Sequence, residues 1–165
     1  MVRYRRNRVP GGTYFFTVTL RDRRSDLLVR HLAELKTAWR RIHARFPHRV
    51  IAAVVLPDHL HAVIAMAEDT CDYPGLWREL KKGFTREVAP HGRSPWQSRF
   101  WEHTIGNERD LAAHVAYVHV NPVKHGLVER VADWPHSTFH RYVREGLVAA
   151  DWGGGPDMPA LQTGE

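Results

Sequence analysis

Residues 49–57, RVIAAVVLP, are apolar almost without interruption, and after the turn signal of Pro57 and Asp58 the chain reads HLHAVIAM over 59–66. A short apolar run that is rich in β-branched residues and closed by proline reads as a strand buried on both faces. The turn sends the chain back on itself, so the second run is the returning arm of a hairpin. A hairpin this apolar has to lie at the centre of a sheet. The remaining segments must supply flanking strands or the helices that cover them.

TYFFTVTL (13–20) alternates and is aromatic and β-branched, which predicts a strand. Over 26–46, Leu28, Leu32, Leu35, Trp39 and Ile42 recur at spacings of three and four, which predicts an amphipathic helix ended by Pro47. Residues 73–88 predict a second helix with Leu76, Leu80 and Phe84 on one face, and WQSRFWEHTI predicts a further strand. Asn107 then caps a helix of about a dozen residues, expected to weaken near Asn121 because Pro122 follows. WPHSTFHRYVREG (134–146) predicts a last helix closed by Gly146. The order β-α-β-β-α-β is the split βαβ pattern. It predicts a ferredoxin-like α+β fold, an antiparallel sheet with helices on one face, plus C-terminal helices. Residues 1–150 are expected to form a single domain, and DWGGGPDMPALQTGE (151–165) a flexible tail.

Composition excludes some classes. No apolar run approaches the roughly 20 residues that cross a bilayer, so no membrane partner is expected and the chain reads as cytoplasmic. Cys71 is the one cysteine, which excludes an internal disulfide and a cysteine-built zinc site. Charge is uneven: residues 1–50 hold 13 Lys and Arg against 3 Asp and Glu, and the rest holds 11 against 15. A basic half permits a polyanion partner, since phosphate contacts release counterions, but a solvated basic surface reads the same way.

Chemistry concentrates in two places. His59 and His61 are separated by one apolar residue on a strand, so both imidazoles point to one face and can reach one divalent ion. In a chain with 12 histidines, two unrelated surface residues would give the same spacing. Tyr117 and Asn121 lie four apart on the helix after Asn107 and share a face. A tyrosine hydroxyl can attack a phosphate that a metal polarises, and an amide oxygen can complete a hard-cation site. A packed core tyrosine is the plainer alternative. His119 and His125 compete as ligands, and His119 should point away from Tyr117. His103 has no assigned role.

Taken in order, GGTYFFTVTL, VVLPDHLHAVI, WQSRFWEHTI and YVHVNPVKHGLV resemble the REP-associated tyrosine transposases, a branch of the single-tyrosine HUH endonucleases. The resemblance runs to about Trp152 and rests on the PDHLH and YVHVNPVKHGLV segments as a pair. It implies that His59 and His61 are the metal-binding histidines around the bulky Leu60, and that Tyr117 is the nucleophile. Tyr117 would cut single-stranded DNA at a repeat hairpin through a 5′-phosphotyrosine. Asn121 falls where relatives place a third polar ligand, often Gln. The ion implied is Mg or Mn, and the substrate is a hairpin of the repetitive extragenic palindrome type, among the DNA of the nucleoid. Related transposases are dimers that share sites, whereas this branch is expected to act as a monomer. Candidate DNA contacts are the arm of Arg3, Arg5, Arg6 and Arg8, the patch of Lys81, Lys82 and Arg86, and Lys124 beside the nucleophile. Trp96 and Trp101 can stack on bases or pack in the core. Two other readings stay open: a hairpin-binding protein that has lost catalysis, and a hydrolase in which the histidines activate water. For the hydrolase the nearest carboxylate, Asp58, is expected on the opposite face of the strand.

Overall fold

The structure, a computed structural model, describes residues 6–155 and 160–165. β1 (Thr13–Thr19), β2 (His48–Val55), β3 (His59–Met66) and β4 (Trp101–Thr104) form one sheet in the order β2-β3-β1-β4. Every neighbouring pair is antiparallel, as the ferredoxin-like reading requires. The predicted hairpin is β2 and β3, and β3 lies inside the sheet between β2 and β1.

The first predicted helix forms in two pieces, α1 (Leu27–Arg30) and α2 (Leu32–His43), because His31 leaves helical geometry at φ −113°, ψ 39°. The Leu28 amide donates to the Pro57 carbonyl at 3.1 Å, which ties the first turn to the hairpin tip. α3 (Tyr73–Val88) starts on Asp72, whose carboxylate accepts from the Gly75 amide. α2 and α3 cover one face of the sheet, over Tyr14, Phe16, Leu60 and Ile64. α4 (Glu108–Lys124) packs on the opposite face, over Phe15, Val54 and Val63.

Three segments differ from expectation. The strand predicted at 96–105 is half formed: the ladder covers Trp101–Thr104, and Trp96 makes only an isolated bridge to Leu20. α4 runs 17 residues, through Pro122. The proline sits in the last turn, where it forfeits one helical bond, and the His125 and Leu127 amides close the end on the Asn121 and Pro122 carbonyls. The last helix shortens to α5 (Phe139–Arg144), because the residues before it pair with the free edge of β2. There the Val55 amide donates to the His136 carbonyl and the Thr138 amide to the Ala53 carbonyl, both at 2.9 Å, which blunts an exposed edge.

Residues 160–165 return to the α4 face, with Thr163 buried. Gly164 lies at φ +70°, a conformation that L side chains rarely adopt, and any Cβ there would collide with Trp101. No described helix is long and apolar enough to cross a membrane.

Candidate active site

Alternation along β3 sends Leu60, Ala62 and Ile64 to the α2–α3 face and leaves His59 and His61 on the α4 face. His61 is fully buried against Phe15, with ring centroids 5.4 Å apart. Its Nδ1 meets Thr17 Oγ1 at 2.9 Å, and Nδ1 of His59 meets Asp58 Oδ1 at 2.8 Å. Both rings are thereby held by one nitrogen and offer Nε2 to the space beneath α4. Asp58 does not follow strand alternation, because it belongs to the turn. It holds the far side of the His59 ring and is itself engaged by Arg23 at 2.6 Å.

α4 supplies the other half. The Tyr117 ring lies 5.4 Å from His61, and Asn121 stands one turn on, fully buried. Lys124 Nζ donates to the Tyr117 hydroxyl at 2.8 Å, so the residue expected as a DNA contact sits on the expected nucleophile. His125 reaches the same space from the end of the helix, 5.1 Å from the His59 ring. His119 points away, as expected, to Thr138 Oγ1 at 2.9 Å.

The sequence reading did not single out Glu165. Its Oε1 lies 2.7 Å from His61 Nε2, 2.5 Å from the Tyr117 hydroxyl and 3.0 Å from Asn121 Nδ2. Its Oε2 lies 2.9 Å from Lys124 Nζ and 3.4 Å from His125 Nε2. Thr163 adds its Oγ1 at 3.1 Å from Tyr117 and takes the Thr17 hydroxyl on its carbonyl. Nothing in the composition of the 151–165 segment signals this docking.

The electrostatics follow from burial and these partners. Burial pushes His61 down to about 4, which keeps it neutral at ordinary pH. Burial and the Glu165 carboxylate push the Tyr117 hydroxyl up, against a downward pull from the Lys124 ammonium. Burial works against the Glu165 carboxylate, but the nearby His59 and the carboxylate's bonds to His61, Lys124 and Tyr117 outweigh that and hold it well below the usual range.

The donor set fits a divalent ion. His59 Nε2 and Asn121 Oδ1 are buried without a hydrogen-bond partner among the described residues, and Glu165 Oε1 is too far from the former, at 3.8 Å. Two imidazoles, an amide oxygen and a carboxylate suit Mn, Mg and similar ions. A second cluster, His103, Asp110 and His114, has the right residue types, but its imidazole planes are stacked at 16° and cannot aim both lone pairs at one ion. It ties β4 to the start of α4 instead, through His103 Nε2 and Asp110 Oδ2 at 2.8 Å.

The proposed DNA contacts are dispersed. Arg3 and Arg5 lie outside the described residues. Arg6 pairs with the buried Glu102 at 2.7 Å, and Arg8 is exposed. Lys81, Lys82 and Arg86 lie on α3, across the sheet from Tyr117. Trp96 is core, packed on Phe84 at 5.4 Å, and Trp101 lies partly buried against the α4 side.

An antiparallel ferredoxin-like sheet with a His-x-His pair on an inner strand, facing a tyrosine on a C-terminal helix, is the arrangement of an HUH-type transposase. The chain is 46% identical over 165 residues to the REP-associated tyrosine transposase of Escherichia coli (strain K12), across 100% of this chain and 98% of the relative. It therefore belongs to the REP-associated tyrosine transposases. A Haemophilus influenzae protein of the same description is 39% identical over 170 residues, across 96% of this chain and 97% of its own. Among solved structures, a REP-associated tyrosine transposase bound to a REP hairpin matches with TM-score 0.92 at 45% identity, across 100% of this chain and 98% of its own. No protein-family profile matches the sequence.

Proposed function

We infer that this chain cuts single-stranded DNA beside a repeat hairpin by transesterification, with Tyr117 as nucleophile and His59, His61 and Asn121 as metal ligands. The observation that carries the reading is the meeting of both histidine Nε2 edges with the Tyr117 hydroxyl in one buried space. All of these groups come from one chain, which supports a monomer as the working unit. The relative solved with a REP hairpin supports the same kind of DNA partner here.

A divalent ion held by His59, His61 and Asn121 would neutralise a non-bridging phosphate oxygen. Tyr117 Oη attacks phosphorus, the bond to the 3′-oxygen breaks, and a 5′-phosphotyrosine remains. The proton lost from Tyr117 is regained at the released 3′-hydroxyl. Lys124, 2.8 Å from the Tyr117 hydroxyl, stabilises the developing tyrosinate. Because the phosphotyrosine conserves the ester, the 3′-hydroxyl can reverse the step and join DNA without a nucleotide cofactor. Glu165 and the scissile phosphate are both anions seeking the same donors, so the 160–165 segment has to leave before phosphate reaches Tyr117. Arg8, Lys82 and Arg86 remain as backbone contacts, with Arg3, Arg5, Arg6 and Lys81 completing the proposed set.

The hydrolase reading is disfavoured by Asp58, whose two oxygens are taken by His59 and Arg23. The test is a denaturing gel of labelled hairpin DNA with manganese, using the parent and Tyr117→Phe. A protein-linked 5′ fragment that vanishes in the variant supports the tyrosine mechanism. Cleavage that survives Tyr117→Phe would overturn it in favour of activated water. Binding without cleavage in the parent would leave only a hairpin-binding protein.

A further inference from the structure

The mechanism uses His59, His61, Asn121 and Lys124, yet a further imidazole, that of His125, enters the same space. Its place is fixed by the way α4 ends. Pro122 stays within the last turn, and Gly126, at φ +67°, then takes the chain out of the helix. A Cβ at Gly126 would meet nothing, so glycine is required there for the backbone conformation alone. The His125 amide donates to the Asn121 carbonyl at 3.0 Å and the Leu127 amide to the Pro122 carbonyl at 2.9 Å, which pins the backbone on both sides of the ring. His125 follows Asn121 by four residues, so the two share a helical face with Tyr117.

A histidine at a helix C-terminus has a plainer explanation, because a protonated ring there meets the negative end of the helix dipole. The geometry goes further. His125 Nε2 faces inward, 3.4 Å from Glu165 Oε2. The His125 ring lies 5.1 Å from that of His59 at 69°, and the His61 ring lies 4.9 Å from it at 84°. Neither pair is stacked, unlike His103 and His114, so their edges can converge on one point. His59, His125 and Glu165 each place a ligand atom within 4.8 Å of the other two, near the roughly 4 Å between opposite donors around one ion. With Nδ1 donating to Asp58, the neutral His59 ring presents its lone pair at Nε2. That nitrogen is buried and has no hydrogen-bond partner among the described residues. Converging nitrogen lone pairs are satisfied together by a cation.

We propose that His125 is a metal ligand through Nε2, a third imidazole on the ion held by His59, His61 and Asn121. The inference rests on the metal site assigned above and deepens it. The ion then ties β3 to the end of α4 at two points, Asn121 and His125. The rival account gives His125 no ion and makes it only a partner for the Glu165 carboxylate.

The test follows manganese binding by the full chain, without DNA, through the electron paramagnetic resonance of the free ion. His125→Ala should weaken binding about a hundredfold, the upper end of what losing an outer-shell partner costs. The same loss should appear in a Glu165→Gln background, where His125 has no carboxylate to hold. Electron–nuclear double resonance of the bound ion, with isotope-labelled histidine, should show one ring-nitrogen coupling fewer in His125→Ala than in the parent. His125 is exposed at a helix end, so the variant should fold, and its urea midpoint checks this. Unchanged affinity in His125→Ala, with His61→Ala impaired, would overturn the inference and leave the metal site standing. A loss that disappears in the Glu165→Gln background would overturn it too and favour the rival account. If His59→Ala and His61→Ala bind manganese as the parent does, the metal site itself falls and the inference with it.

Discussion

The two faces of the sheet are made from the same four strands and do opposite work. Toward α2 and α3 the strands present Tyr14, Phe16, Leu60 and Ile64, packed on Tyr73, Trp77 and Phe84, with rings meeting at 4.6 to 5.3 Å. Toward α4 they present Phe15, Thr17 and His61, and the groups they meet are polar: Tyr117, Asn121, Lys124 and Glu165. The period of two along β1 and β3 separates them, so neighbours in sequence belong to different tasks. One face holds the fold together so that the other can keep buried polar groups in a chemically useful but energetically poor arrangement. His59 Nε2 and Asn121 Oδ1, buried without partners among the described residues, belong to the second face.

The largest expected effect breaks the comparison if it fails. Trp77 is fully buried and meets Phe16 at 5.2 Å and Trp39 at 5.6 Å. Trp77→Ala should cost about 3–5 kcal/mol in urea unfolding. Tyr117→Phe deletes one oxygen that meets charged partners and should cost less, about 1.5–3 kcal/mol. If the tyrosine variant were the more destabilised of the two, the α4 face would be structural and the division of labour wrong.

A smaller effect concerns the far side of α4. Burial, then the charges of Arg141 and His140, pull His119 down to about 4, against an ordinary value of 6.5. The folded state thus favours the neutral ring. Stability from this group is unaffected above pH 6.5, is lost as pH falls below it because the unfolded chain takes the proton first, and levels off below about 4. The loss should be about 3 kcal/mol. His119→Gln can keep the bond to Thr138 and cannot titrate, so urea unfolding between pH 7 and pH 4 should show a flatter profile. An unchanged profile would assign the acid sensitivity to other groups.

Much of this was legible in the sequence, for physical reasons that also mark where legibility stops. Strand alternation predicts that His59 and His61 share a face, and helical spacing puts Asn121 beside Tyr117; the structure brings all four together. Both rules are local and periodic. Lys124 and Glu165 follow neither. Lys124 reaches Tyr117 across two turns because Pro122 does not end α4, a stop signal overridden by position in the last turn. Glu165 arrives from 48 residues away along the chain, through a segment whose composition suggested only flexibility. The shortening of the last helix depends on pairing with β2. Long-range hydrogen bonds decided each of these, and periodicity carries no trace of them.

The smallest predicted effect sharpens the comparison most, because it changes one residue that touches neither the phosphate nor the space beneath α4. Asp58 fixes His59 by its Nδ1 at 2.8 Å, and Arg23 holds the other carboxylate oxygen at 2.6 Å. Asp58→Asn preserves the shape of the turn and can still meet the ring, but loses the carboxylate charge behind the ligand. Manganese affinity of the full chain, followed by electron paramagnetic resonance, should weaken about tenfold and at most a hundredfold. Urea stability should move by less than about 1 kcal/mol, since the Arg23 partner is largely exposed and such pairs contribute little. Arg23→Ala should change manganese affinity less than Asp58→Asn does, because the imidazole bond survives it. If Asp58→Asn left manganese affinity unchanged while lowering stability, the turn would belong with the packing face, and His59 would owe its orientation to burial alone.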